Sequence, residues 1–160
     1  MTINITLGDT EIQKLEARFL RYVQIDTQSD EASTSVPSTP GQRHLLEILA
    51  EELRGLGASE VTLSDYSCVF ATLPPTVTTA APTIAFLAHV DTAQDYSGAH
   101  IKPLVHRCYD GQPIVLPDAP EQVLKPEESP RLEGKSERIL SRRAVQPCWE
   151  QMTKPVSPSS

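Results

Sequence analysis

A chain of 160 residues and 17.6 kDa suits one domain, since this length can bury roughly 68–70% of the unfolded surface around a single core. A formal net charge of -7, from 14 Lys plus Arg against 21 Asp plus Glu, argues against a phosphate-tracking basic face and so against a nucleic-acid partner. No apolar run approaches the roughly 18 residues of a membrane span, and the start of the chain lacks a basic, then apolar, signal peptide, so a soluble cytoplasmic chain with no membrane partner is expected.

Ile12, Leu15, Phe19, Tyr22 and Val23 recur at helical spacing, with Thr10 and Gln13 placed as a capping box, and predict an amphipathic first helix. A polar stretch over 26–39, rich in Ser and Thr, leads to a second helix. Thr39 stands there as cap, Pro40 as first-turn proline and Gln42 as the capping-box acceptor. Leu45, Leu46, Leu49, Leu53 and Leu56 form its apolar stripe, and Gly57 follows where a left-handed C-terminal cap is expected. Val61 and Leu63, then Val69, Ala71 and Leu73, alternate with other residues and predict a hairpin that Pro74 and Pro75 terminate.

Residues 83–90 are the most continuously apolar stretch, with Ile84, Phe86 and Leu87, and predict a central strand covered on both faces. Residues 112–116 predict a short strand. Beyond them apolar residues become sparse and unperiodic, and six of the 14 prolines lie from Pro120 onward, which predicts little order over 117–160. Cys68, Cys108 and Cys148 are far apart and odd in number, a pattern that fits reduced thiols and neither a disulfide framework nor a thiolate zinc site.

Chemistry concentrates where the apolar stretch ends, in His89-Val90-Asp91-Thr92. Residues two apart in extended chain share a face, so His89 and Asp91 fall together where the strand emerges, and ligands of α/β sheets bind at such carboxyl ends. A neutral imidazole is a common zinc ligand, and a neighbouring carboxylate can fix its ring and tautomer. Taken alone, so short a motif more often marks an ordinary polar strand end. His44 beside the leucine stripe, and His100 and His106 in a loop region, read as surface histidines; Asp26-Thr27-Gln28-Ser29 reads as a turn with substrate contact as its alternative. Glu121, Glu127, Glu128 and Glu133 read as a solvated acidic segment.

Several blocks agree, in order and spacing, with one family: Phe19-Leu20-x-Tyr22-Val23-x-Ile25-Asp26-Thr27-Gln28-Ser29, Pro37-Ser38-Thr39-Pro40-Gly41-Gln42, Leu53-x-x-Leu56-Gly57-Ala58, Val69-Phe70-Ala71-Thr72-Leu73-Pro74, His89-Val90-Asp91-Thr92, Ser97-Gly98, Asp110-Gly111 and Ile114-Val115-Leu116. From Ile12 to about Leu132 the chain resembles the start of the peptidase T family, zinc metallopeptidases that remove the N-terminal residue of tripeptides. The resemblance implies an α/β fold, the N-terminal part of a zinc-aminopeptidase-like catalytic domain with helices packed on a mixed β-sheet. It implies that His89 is a ligand of one of two zinc ions and that Asp91 is the active-site aspartate that steadies it, with a peptide as substrate. In such enzymes the metals activate water and polarise the peptide carbonyl, with a glutamate as general base. The bridging aspartate, that glutamate, the remaining ligands and a lid domain lie in family members beyond the matched region. Ser67-Cys68 stands where relatives tend to carry a glycine turn.

Residues 1–10 then read as an N-terminal extension, 11–134 as a partial peptidase catalytic domain, and 135–160 as a disordered, frame-shifted tail. Family members continue here with Ser-Gly-Thr-Thr-Leu-Leu-Gly-Ala-Asp-Asp-Lys-Ala-Gly. When codons are regrouped from each third base, Cys148-Trp149 must give Leu, Trp149-Glu150 Gly and Met152-Thr153 Asp, while the other pairs from Arg143 to Val156 permit the family residue. A frame change near Lys135, in the gene or its reading, is the expectation, leaving a chain without aminopeptidase activity of its own. The alternative is a small non-catalytic α/β module that recruits a partner through an exposed sheet edge.

Overall fold

In the structure, a computed structural model, the described residues are 8–117, 119–129, 132 and 140–143. Its elements are α1 (Asp9–Tyr22), α2 (Pro40–Gly55), β1 (Ser59–Leu63), β2 (Val69–Thr72), β3 (Pro103–His106), β4 (Ile114–Leu116), β5 (Ala119–Leu124) and β6 (Leu140–Arg143). The chain is α/β. Among the described residues the strands form three two-stranded antiparallel ribbons, β1–β2, β3–β6 and β4–β5, in place of the expected mixed sheet. Two compact units divide the chain, Met1–Ile25 with Asp95–Ser160, and Asp26–Gln94.

Within Asp26–Gln94, α2 packs on β1 and β2. Leu45, Leu46 and Ala50, from the predicted stripe and its neighbouring turn, are buried; complete burial of a leucine side chain stabilises by about 1.5–3 kcal/mol. The helix ends as its sequence requires. Gly57 takes φ +85°, its N–H donates to Arg54 O at 3.0 Å, and the Ala58 N–H donates to Leu53 O at 3.0 Å, a Schellman closure that satisfies two terminal carbonyls. The chain then enters the predicted hairpin, with Leu63 opposite Val69 and Thr62 opposite Phe70. An irregular register between Ser59 and Thr62 coincides with Glu60 at φ 52°, a local bulge. Ser67, at the place where a glycine was expected from the resemblance, has φ 56°, the left-handed region that glycine occupies without steric cost.

Residues 83–90 form no strand: Ile84 is 73%, Phe86 94% and Leu87 93% exposed. A strand apolar on both sides requires paired edges and covered faces. Among the described residues the stretch receives neither, apart from a single parallel bridge just beyond it, between Gln28 and Thr92.

In the other unit, α1 begins at Asp9 with Gly8 as its cap and no side-chain cap hydrogen bond, so Thr10 lies inside the helix and not at its boundary. Ile12, Leu15 and Phe19 on its apolar stripe are exposed. An ion pair ties the helix to the end of β3: the Arg107 guanidinium donates to both carboxylate oxygens of Glu16, at 2.6 and 3.3 Å. Ile101, Tyr109, Ile114 and Leu116 are buried, whereas Val115 is 52% exposed, the alternation expected of a half-covered ribbon. In β4–β5, Ile114 faces Leu124 and Val115 faces Val123.

Leu140–Arg143 lies within the stretch expected to be without order, and its backbone pairs antiparallel with Pro103–His106. The rest of the tail proposed to be frame-shifted, 135–139 and 144–160, and residues 1–7 of the expected extension lie outside the described residues.

Candidate functional site

His89 and Asp91 meet as the two-residue spacing predicts. The imidazole Nδ1 lies 3.0 Å from Asp91 Oδ1, with the side chains 82% and 51% exposed. A carboxylate oxygen only accepts, so this contact selects the tautomer with the proton on Nδ1. The Nε2 lone pair is then left free to bind a Lewis acid. The donor set, one imidazole oriented by one carboxylate, therefore fits a zinc ligand with its outer partner, and Nε2 is the atom that would hold the metal.

Immediately after this pair the chain is held by a loop that the sequence presented as a turn. Asp26 Oδ1 accepts from the Gln28 N–H at 3.1 Å, closing the turn that Asp favours by its side-chain acceptor. The Thr92 N–H then donates to Thr27 O at 3.1 Å, and the Ser29 N–H to Thr92 O at 3.0 Å. Ser29 Oγ also donates to Thr92 O at 3.1 Å. The Gln28 side-chain amide reaches further, to Ala93 O at 3.3 Å and Gln94 O at 2.9 Å. Thr92 Oγ1 is buried and has no hydrogen-bond partner among the described residues.

That loop is in turn seated on the start of α2. Thr39 Oγ1 donates to Gln28 O at 2.8 Å. Gln42 Nε2 lies 3.1 Å from Ser38 Oγ and 3.4 Å from both Thr27 O and Gln28 O. Thr39 is the helix cap and Pro40 opens the first turn, as predicted, yet the cap has no side-chain hydrogen bond to the helix. Both presumed capping-box side chains are spent on the loop instead. Thr27 and Gln42 are buried, 3% and 6% exposed, and burial of the Gln42 carboxamide is tolerable because it finds these partners. Gly41 permits the approach: a Cβ there would collide with the Asp26 carbonyl oxygen.

The remaining sequence candidates do not join the pair. His44 is exposed on α2, on the rim of an open depression of about 330 Å³ lined also by Val36, Pro37, Arg43 and Glu47. His100 is exposed at φ 56°. His106 ends β3, half-buried, with Nε2 lacking a partner among the described residues. Cys68 and Cys108 are free and exposed. Of the acidic segment, Glu128 is held by Lys125 at 2.8 Å, and Glu133 lies outside the described residues. Among the described residues no three His, Cys, Asp or Glu side chains group closely enough to hold a metal ion, and no helix is long and apolar enough to cross a membrane.

The sequence matches no family model. Over 117 residues, 73% of this chain, it is 51% identical to peptidase T of Brevibacillus brevis (strain 47). It is 48% identical over 120 residues, 75% of the chain, to the peptidase T proteins of Bacillus cereus (strain B4264) and Bacillus mycoides (strain KBAB4). The chain is a relative of peptidase T. It spans only 28–29% of the length of these peptidase T relatives.

Proposed function

We propose that residues 11–134 are the N-terminal portion of the catalytic domain of a zinc-dependent tripeptide aminopeptidase, a hydrolase acting on peptides, with His89 as a ligand of one of two zinc ions and Asp91 as its orienting carboxylate. The observation that carries the reading is the 3.0 Å Nδ1–Oδ1 contact, made within a chain related to peptidase T at 51% identity. Zinc, when bound, lowers the pKa of its water and polarises the scissile carbonyl. Asp91 holds the imidazole in the tautomer that leaves Nε2 as a donor, and the Thr27–Thr92 backbone contacts hold Asp91. The free, exposed thiols of Cys68 and Cys108 are in keeping with a reducing cytoplasm.

One imidazole and its carboxylate are too few for catalysis, because a catalytic zinc takes typically about three protein ligands and an open position. Residues 1–160 are accordingly proposed to release no N-terminal residue from a tripeptide on their own. We further propose that 135–160 arise from a frame change near Lys135. The nucleotide sequence tests this directly: regrouped codons must read on into the peptidase T continuation, and a stop or unrelated sequence in that frame rejects it.

The functional test mixes the purified chain with a polypeptide holding the part of Brevibacillus brevis peptidase T that lies beyond the matched region, with zinc, and follows tripeptide cleavage. No activity is expected from either piece alone, and activity of the mixture that His89→Ala abolishes would support the catalytic reading over a binding module. Cleavage by the chain alone overturns the proposal of incompleteness, and an inactive mixture in which the two pieces demonstrably associate overturns the catalytic reading. A second reading, a non-catalytic α/β module, is favoured by one observation, the exposure of the apolar side chains Ile84, Phe86 and Leu87, a surface suited to contact with a partner.

A further inference from the structure

The approach to the His89–Asp91 pair is a long stretch with little to hold it. Among the described residues from Leu73 to Asp91, no backbone–backbone hydrogen bond is made outside helices and strands, no strand forms over 83–90, and Ile84, Phe86 and Leu87 stand in solvent. The first fixed point is Thr92, immediately after Asp91. It is gripped on both its N–H and its C=O by the Thr27 and Ser29 backbone, with Gln28 Nε2 extending the grip to the carbonyls of Ala93 and Gln94. The anchor is itself immobilised by Thr39 and Gln42 of the helix start.

We infer that Gln28 is a positioning residue for the His89–Asp91 pair, its carboxamide acting as a staple that sets where Asp91, and through it the imidazole, stands. Resting as it does on the reading of these two residues as a metal corner, this role adds the 26–29 loop to the site as its support. Chemistry explains the choice of a carboxamide. Two carbonyl oxygens in sequence, Ala93 O and Gln94 O, can be bound by the two N–H donors of one –NH2 group, whereas a carboxylate offers none and a hydroxyl offers one. Backbone pairing through Thr27 and Ser29 alone fixes a single residue. The side-chain staple extends that to three consecutive residues, 92–94, so that Thr92, the residue joined to Asp91, is held from its far side as well.

The test needs neither metal nor peptide. Histidine ring nitrogens of the full 160-residue chain are observed by long-range 1H–15N correlation at a pH where imidazole is neutral, with His89 assigned by its loss in His89→Gln. In the unaltered chain His89 is expected in the Nδ1–H tautomer. Gln28→Ala and the near-isosteric Gln28→Glu are each expected to lose that signature in favour of the Nε2–H mixture of an unconstrained histidine, while α2 and β1 amide resonances keep their positions. Ser29→Ala, which removes one supporting contact to Thr92 O, is expected to shift His89 less and in the same direction. A His89 signature unchanged in both Gln28 variants overturns the inference. So does a loss accompanied by equal disturbance of α2 and β1, which marks Gln28 as a general structural residue. Neither outcome bears on the peptidase reading, which the mixing experiment judges separately.

Discussion

Two glycines of the same helix should respond to alanine with opposite sign. Gly41 lies in the first turn of α2 and Gly55 is its last residue. A Cβ built on Gly41 collides with the Asp26 carbonyl oxygen and stands 2.9 Å from its carbon, whereas one on Gly55 meets nothing within 4 Å. Because the obstacle at Gly41 is backbone, no rotamer change relieves it, and either the helix start or the 26–28 loop has to move. Overpacking of this kind costs about 1–3 kcal/mol. Displacing the loop also strains the Thr39–Gln28 hydrogen bond of 2.8 Å, worth about 1 kcal/mol net. Alanine returns up to about 1 kcal/mol of helix propensity over glycine, so Gly41→Ala is expected to destabilise by about 1–3 kcal/mol overall. Gly55→Ala keeps the propensity gain without the collision and is expected to stabilise by about 0.4–1 kcal/mol. Urea unfolding followed by far-ultraviolet circular dichroism measures both. Equal midpoints at equal m-value for the two variants would refute the seating of the 26–28 loop against the helix start, and with it the account of how the site is supported.

Burial, and after it the carboxylates of Asp110 and Glu127, raise the Tyr109 phenol above its ordinary 10.0. The folded state thus holds this proton more tightly than the unfolded chain, so the stability it contributes is complete below pH 10 and is lost as pH rises toward the folded value. Lys125 is likewise raised above its ordinary 10.5, chiefly by its hydrogen bond to Glu128, and its contribution has the same sign. The informative comparison is therefore Tyr109→Phe: it is expected to lose about 1 kcal/mol at neutral pH with the hydrogen bond to Gln112 O and to show a shallower alkaline decline. An identical decline in urea midpoint between pH 8 and 12 counts against the burial of this phenol. Phe86→Ser and Leu87→Ser, at side chains 94% and 93% exposed, are expected to change stability by no more than about 0.5 kcal/mol while reducing binding of a hydrophobic dye. A loss of several times that in urea unfolding reveals packing over 83–90 that the structure does not contain.

Local rules were legible in the sequence wherever they are carried by neighbours. The leucines at helical spacing and the glycine after them placed α2 and its end, since both depend on residues within a turn or two. Alternation placed the β1–β2 hairpin and β4. The spacing of His89 and Asp91 marked them as a candidate pair, and Nδ1 does stand 3.0 Å from Oδ1, although the strand on which that pairing was expected does not form.

Other features escaped the sequence for a common reason. Thr39 and Gln42 have the residue types and spacing of a capping box, and Thr10 and Gln13 have them too, yet neither pair closes one: Thr10 lies inside α1, and Thr39 and Gln42 turn to a different partner. The first pair does so because the carbonyls of Thr27 and Gln28 are brought within reach by folding, and those acceptors are backbone atoms that every residue possesses.

Periodicity and motif spacing in the chain thus determined its helices, its hairpin, the candidate pair His89 and Asp91 and the kinship with peptidase T. Tertiary structure alone decided that Gln28 meets Thr92 across 64 positions of chain, that the buried Gln42 supports the 26–29 loop, and that the most continuously apolar stretch stands in water. Contacts of that sort are made through main-chain oxygens and through the presence or absence of neighbouring strands. Neither leaves a mark on the order of side chains.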